Sequence, residues 1–178
     1  MSEDTKEYPW QGRKFKFEVV AETEEGLKKK GTFVEPEDLQ KFTVHSDEGA
    51  RLGGGNTAPT PIGYFLLGAG FCALTQLSRY SEMMKVDIKF ARITVRSHFL
   101  TEGSVLRETI KGSTDGFELD VEIDSDAPPE RVAAVVRNAE AGCFVMQAIK
   151  NPTEVRTNVT LNGTAIDVDA LKGAQAAE

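Results

Sequence analysis

Histidine, cysteine and tryptophan are scarce in this 178-residue chain, which has two, two and one of them. His45 and His98 stand alone, without the close spacing that metal ligands need, so no metal site is expected. Two cysteines do not make a secreted disulfide scaffold, and a reducing cytoplasm is the expected location. Positive charge is also short. Twenty-one Lys and Arg face 28 Asp and Glu, a net charge of −7. That balance argues against nucleic acid, whose phosphates demand a basic face, and the run Lys28-Lys29-Lys30 is too short to reverse it. No apolar run in the first thirty residues has the form of a signal peptide. The longest apolar stretch, 61–74, is interrupted by Gly63, Gly68 and Gly70 and reads as too short to span a bilayer, so no membrane partner is expected.

Catalytic motifs are missing too. There is no Gly-x-Ser-x-Gly elbow. The triple glycine Gly53-Gly54-Gly55 lacks the Gly-Lys-Ser/Thr ending of a phosphate loop. Gly68-Ala69-Gly70 falls inside a helical pattern rather than at its start, which excludes a dinucleotide fingerprint.

What remains is an ordinary globular composition, 40% apolar and 28% charged. One domain over 1–178 is expected, with its core at about 14–163 and a polar segment and a frayed tail at its ends. Phe15, Phe17, Val19 and Ala21 alternate as one face of a strand. Glu24-Glu25-Gly26 reads as a hairpin turn into a strand over 27–34, which Pro36 breaks. A third strand is expected over 39–45 and a loop over 46–60. Thr60-Pro61 reads as an N-cap and first helical residue, opening a helix to about Lys85. Its first half is apolar all round and is expected to be buried; its second half is expected to reach solvent.

Strands follow at 87–99, 105–112 and 117–124, the last two joined at Ser113–Gly116. A second helix is expected from Pro129 to about Lys150, with Val132, Val136, Ala139, Cys143 and Met146 on one face, ended by Asn151-Pro152. A strand over 155–161 closes at Asn162-Gly163. Strands and helices in this order favour an antiparallel sheet with segregated helices, an α+β class.

The two cysteines fall on the two helices. Two thiols are the minimum for a cycle in which one sulfur is oxidised and the other resolves it as a disulfide. They serve equally as buried packing residues. Glu140, one turn before Cys143, and Arg79, two turns after Cys72, read as exposed charges.

The glycine loop leading into a proline-started helix, Gly53–Pro61, has Cys72 eleven residues after the proline. Cys143 follows 71 residues later in Ala-Gly-Cys-Phe, and then comes the strand Val155–Leu161. In this order and spacing the chain resembles the OsmC/Ohr family, the osmotically induced and organic-hydroperoxide-resistance proteins. The resemblance implies an antiparallel sheet packed on two central helices in an intertwined homodimer. It implies that Cys72 is the peroxidatic nucleophile and Cys143 its resolving partner. The substrate would be an organic hydroperoxide and the reductant an external dithiol, with no metal or organic cofactor.

In that family a carboxylate just after the helix-start proline and a hairpin arginine hold the first thiolate. Here Ile62 or Gly63 occupies the carboxylate's place, and 22–34 contains lysines but no arginine. Arg51 is the candidate substitute. Phe71, with Phe65, Tyr64, Phe144 and Met146, is the candidate lining for an apolar substrate. The alternative is a non-peroxidatic relative that binds a small apolar ligand or runs other thiol chemistry, such as acyl transfer at Cys72.

Overall fold

The computed structural model describes residues 16–35, 39–151 and 153–171. Phe15, Pro36 and Pro152 lie outside them. The chain divides into two compact units, Met1–Phe71 with Arg92–Glu122, and Cys72–Ala91 with Ile123–Glu178.

In the first unit β1 (Val19–Thr23), β2 (Lys29–Val34) and β3 (Lys41–Ser46) form an antiparallel sheet in that order. The turn sits at Glu24–Gly26 as the sequence requires, with Val19 opposite Phe33 and Thr23 opposite Lys29. Phe33 stacks on Phe42 with ring centroids 5.3 Å apart. A loop carrying a single 3-10 turn at Ala50–Leu52 leads to α1 (Pro61–Met83). Thr60 caps α1: its Oγ1 accepts the Gly63 N–H at 3.1 Å, and Pro61 takes the first helical position. Tyr64 Oη donates to the His45 carbonyl at 2.8 Å, which ties the first turn of the helix to the end of β3.

Two long strands, β4 (Phe90–Glu102) and β5 (Lys111–Asp124), pair with each other. This corrects the reading of 105–112 as a strand and Ser113–Gly116 as a turn. The turn lies between Gly103 and Ile110, where Gly103 and Glu108 have φ of 91° and 53°. Ser113–Gly116 is strand, bonded across through Ser97 Oγ to Thr114 Oγ1 at 2.7 Å. Edge-on aromatic contacts link Phe65, Phe117 and Phe99.

The second unit is built on the second half of α1. Leu77, Val86, Val135 and Ala139 form its buried centre, with Leu74, Tyr80, Met84, Val132, Val136 and Ile123 packed around them. The expected burial of α1 holds only in part. Ala69 and Gly70 of the first half are buried, but Ile62, Phe65, Leu67 and Phe71 are exposed; in the second half Arg79 and Glu82 reach solvent as expected, whereas Ala73, Gln76, Leu77 and Ser81 are buried. The reason is amphipathicity: residues 73, 77, 80 and 84 make one apolar stripe that a single neighbouring helix can cover, and a helix apolar all round has no such single face. At 23 residues, with a mean hydropathy of 1.2 over its most apolar 18, α1 is long and apolar enough to cross a membrane by length and composition. That length belongs to the whole helix; the stretch 61–74 by itself is too short.

The second expected helix is two helices. α2 (Pro129–Gly142) and α3 (Phe144–Lys150) meet at a 67° bend, and Cys143 is the extended residue between them, with φ −78° and ψ 108°. The closing strand is shorter than expected. β6 (Val159–Leu161) pairs with β7 (Thr164–Ile166) across the Asn162-Gly163 turn, so the segment after 163 begins as strand rather than tail. The described strands thus form three antiparallel sheets rather than one.

Candidate functional site

Cys72 projects from the middle of α1 and is half-buried; Cys143 is fully buried, and both are free thiols. Cys143 lies at the break between α2 and α3 rather than within a helix. The backbone N–H groups of Val145 and Met146 and the Cys72 thiol are its neighbours. Burial pushes the Cys143 thiol above its ordinary range, the neighbouring Cys72 sulfur adds to that, and the two backbone N–H groups oppose it.

The break is held from both sides. The Glu140 carbonyl accepts the Cys143 N–H at 3.4 Å and the Gln147 Nε2 at 3.0 Å, and its carboxylate pairs with Lys150. Glu140 therefore binds α3 back onto α2, a role that its exposed position alone did not suggest. Gly142 admits the ring of Tyr80. A Cβ at position 142 would lie 2.3 Å from Tyr80 Oη.

On α1, Gln76 follows Cys72 by four residues and Arg79 by seven. Gln76 is buried, and Arg79 Nη1 donates to its Oε1 at 3.4 Å. Phe144 is exposed and Met146 buried in α3.

In the first unit, Arg51 is exposed in the 3-10 turn, with no recorded ion pair or hydrogen bond among the described residues. Phe71 is 59% exposed. Tyr64 lines a cavity of about 420 Å3 with Val19, Ala21, Phe33 and Val44. The sequence reading missed Asp47. Its side chain is 1% exposed, and its carboxylate accepts four bonds: from the N–H groups of Glu48 at 2.9 Å, Gly55 at 3.0 Å and Thr57 at 3.0 Å, and from Thr57 Oγ1 at 2.8 Å. These bonds hold its pKa below the usual carboxylate range, the Thr57 N–H most of all, against an opposing effect of burial. Gly54 passes so close that a Cβ there would meet the Glu48 carbonyl oxygen at 2.0 Å. The triple glycine is thus the wrapping of an anion already in the chain. No group of three or more metal-ligating side chains occurs among the described residues.

Residues 53–158 match the family model of OsmC-like proteins. The chain belongs to the OsmC-like family. Solved structures share the fold of this OsmC-like protein. An OsmC-like hydroperoxide resistance protein from Jannaschia sp. is 21% identical, with TM-score 0.56, 84% of this chain and 94% of the other covered. An OsmC-like protein from Mycoplasma pneumoniae is 13% identical, with TM-score 0.60 and coverage of 78% and 89%. An organic hydroperoxide resistance protein OsmC from Legionella pneumophila is 17% identical, with TM-score 0.55 and coverage of 78% and 92%. No curated protein matches the sequence at a significant level.

Proposed function

We propose that this OsmC-like protein reduces organic hydroperoxides with Cys72 as the attacking thiol and Cys143 as the resolving one. The observation that supports this most is a pair of free thiols that are neighbours, Cys72 half-buried on α1 and Cys143 buried at the α2–α3 break. Cys143, pushed up by burial, stays protonated at neutral pH, which suits a thiol that waits. The Cys72 thiolate attacks the distal peroxide oxygen; an S–O bond forms, the O–O bond breaks, and the alkoxide leaves to be protonated as an alcohol. Cys143 then attacks the sulfenic sulfur, forming the disulfide and releasing water. An external dithiol takes up the oxidation and returns both thiols. Such chemistry belongs to oxidative stress defence in a reducing cytoplasm.

The exposed apolar half of α1, with Ile62, Phe65, Leu67 and Phe71, is the surface we assign to a second copy of the chain. Phe71 and Arg51 are the side chains we assign to the hydroperoxide, apolar tail and charged entry respectively.

The test is a thiol count before and after one equivalent of cumene hydroperoxide. The wild-type chain loses both thiols, Cys72→Ser loses neither, and Cys143→Ser stops at a sulfenic acid trapped by dimedone. Arg51→Ala slows the first oxidation. Equal peroxide consumption by wild type and Cys72→Ser with a dithiol present overturns the reading and leaves apolar-ligand binding or acyl chemistry at Cys72. The absence of a carboxylate at Ile62 and Gly63 is the observation that favours that second reading.

A further inference from the structure

The two thiols differ in what can reach them. Cys143 has no exposed surface, whereas Cys72 is half-buried. On α1, Cys72 lies at the edge between two faces: Thr75, Ser78 and Arg79 are exposed, and Ala73, Gln76 and Leu77 are buried. Cys72 therefore has a solvent side and a protein side, and Cys143 is its neighbour within the protein. The main chain of Cys143 is also pinned. Its N–H donates to the Glu140 carbonyl at 3.4 Å, and its carbonyl accepts the Gln147 N–H at 2.9 Å. Gln147 Nε2 returns to the Glu140 carbonyl at 3.0 Å, and the Glu140 carboxylate pairs with Lys150. Bringing Cys143 to the surface would break this joint between α2 and α3. Thiol–disulfide exchange adds a demand of direction: the attacking, attacked and leaving sulfurs lie in one line. To strike Cys143, a reductant must come from beyond it, through an interior where Val135, Ala139 and Met146 are buried. To strike Cys72, it comes from the side opposite Cys143.

We propose that the external dithiol attacks Cys72 of the oxidised pair and that Cys143 is the leaving sulfur. The proposal rests on Cys72 and Cys143 being one redox pair, as the proposed function has them. One dithiol thiolate forms an S–S bond with Cys72. The Cys72–Cys143 bond breaks, and its electron pair goes to the Cys143 sulfur, which then takes up a proton. The second dithiol thiolate attacks the sulfur of the first, and Cys72 leaves as a thiolate. The dithiol ends as a disulfide, two electrons poorer, and the cysteine pair is two electrons richer. Burial works against charge on the leaving Cys143 sulfur, and the Val145 and Met146 N–H groups bonded to it work in its favour. Access outweighs that balance, because a sulfur with no exposed surface meets a reagent only when the joint opens. One sulfur thus faces both external reagents, and Cys143 meets neither.

The test uses the full wild-type chain, oxidised to the Cys72–Cys143 disulfide with diamide. The chain is treated briefly with 2-mercaptoethanol, quenched in acid, blocked with N-ethylmaleimide, digested and read by mass spectrometry. A monothiol is the probe because it has no second thiol to release it, so it stays on the sulfur it attacked. In the folded chain the probe is found on Cys72 and the maleimide on Cys143, about tenfold or more over the reverse pairing. In urea the two pairings come within about twofold of each other, since unfolding opens both sulfurs. A folded ratio within about twofold of one, or a preference for Cys143, overturns the proposal. A folded ratio that urea leaves unchanged overturns it too, and so does a chain that diamide leaves with two free thiols. The disulfide is made without peroxide. The probe on Cys72 in a protein that consumes no hydroperoxide therefore keeps this inference and removes the peroxidase reading. The probe on Cys143 in a protein that consumes hydroperoxide with a dithiol removes this inference alone.

Discussion

Gly142→Ala is the smallest change that reaches the thiol pair. The new Cβ would lie 2.3 Å from Tyr80 Oη, 2.8 Å from Cε2 and 2.9 Å from Cζ. A methyl group needs about 3.5 Å from each, so ring and backbone must part by about 1 Å. Tyr80 packs against the Leu77–Val135–Ala139 centre and cannot swing away freely. Overpacking of this kind costs about 1–3 kcal/mol. The gain in helix propensity from Gly to Ala is at most about 1 kcal/mol, and less at the last residue of a helix. The net loss is about 1–2 kcal/mol, a fall in melting temperature of about 2–8 °C for a chain of this size. Tyr80→Leu removes all three clashing atoms. In that background Gly142→Ala should be neutral or slightly stabilising, a coupling of about 1–2 kcal/mol between the two positions. Position 142 is bonded to Cys143, so the same displacement separates the sulfurs. Diamide-driven disulfide formation slows in Gly142→Ala and recovers in the double variant. An equal loss of melting temperature in both backgrounds would refute the argument, because the strain would then lie in the backbone and not at the ring.

Further outcomes follow from the two perturbed groups. The pKa of Asp47 is lowered in the fold, so its contribution is fully present above the ordinary value of about 3.9 and is lost as pH falls through the folded value; amide exchange at Gly55 and Thr57 should accelerate below about pH 4, and Asp47→Asn should abolish that pH dependence and lower the melting temperature. The Cys143 thiol is raised, so its contribution is present below the ordinary value of about 8.5 and is lost as pH rises through the folded value. Under reducing conditions the wild-type chain should lose stability above about pH 9, and Cys143→Ala should lose less; parallel curves would refute the assignment.

Local signals carried much of this fold. Thr60 and Pro61 mark the start of α1 because cap chemistry needs only neighbours in sequence, and Glu24–Gly26 marks its hairpin for the same reason. The break at Cys143 was not legible. Val132, Val136, Ala139, Cys143 and Met146 keep helical spacing straight through it, and of the contacts at the break the Tyr80 ring over Gly142 is distant in sequence while the Glu140–Lys150 pair spans the break itself. Val105, Leu106 and Ile110 resembled a strand by composition, yet they lie in the turn between β4 and β5. The two cysteines stand out as the chain's one pair of thiols, and the roles proposed for them come from the family resemblance, whereas Asp47 was hidden by a glycine run that invites an external anion.

The two halves of α1 tie this chain to mass action. The second half has its cover within the chain, while Ile62, Phe65, Leu67 and Phe71 of the first half remain exposed to water. With the second copy proposed above as its cover, stability becomes a function of how much protein is present: dilution would withdraw the cover, and the midpoint of unfolding would move with concentration. On that proposal, changes at those four positions would alter the chain most when it is scarce, and a variant that looks sound at high concentration would fail at the level at which a cell holds it.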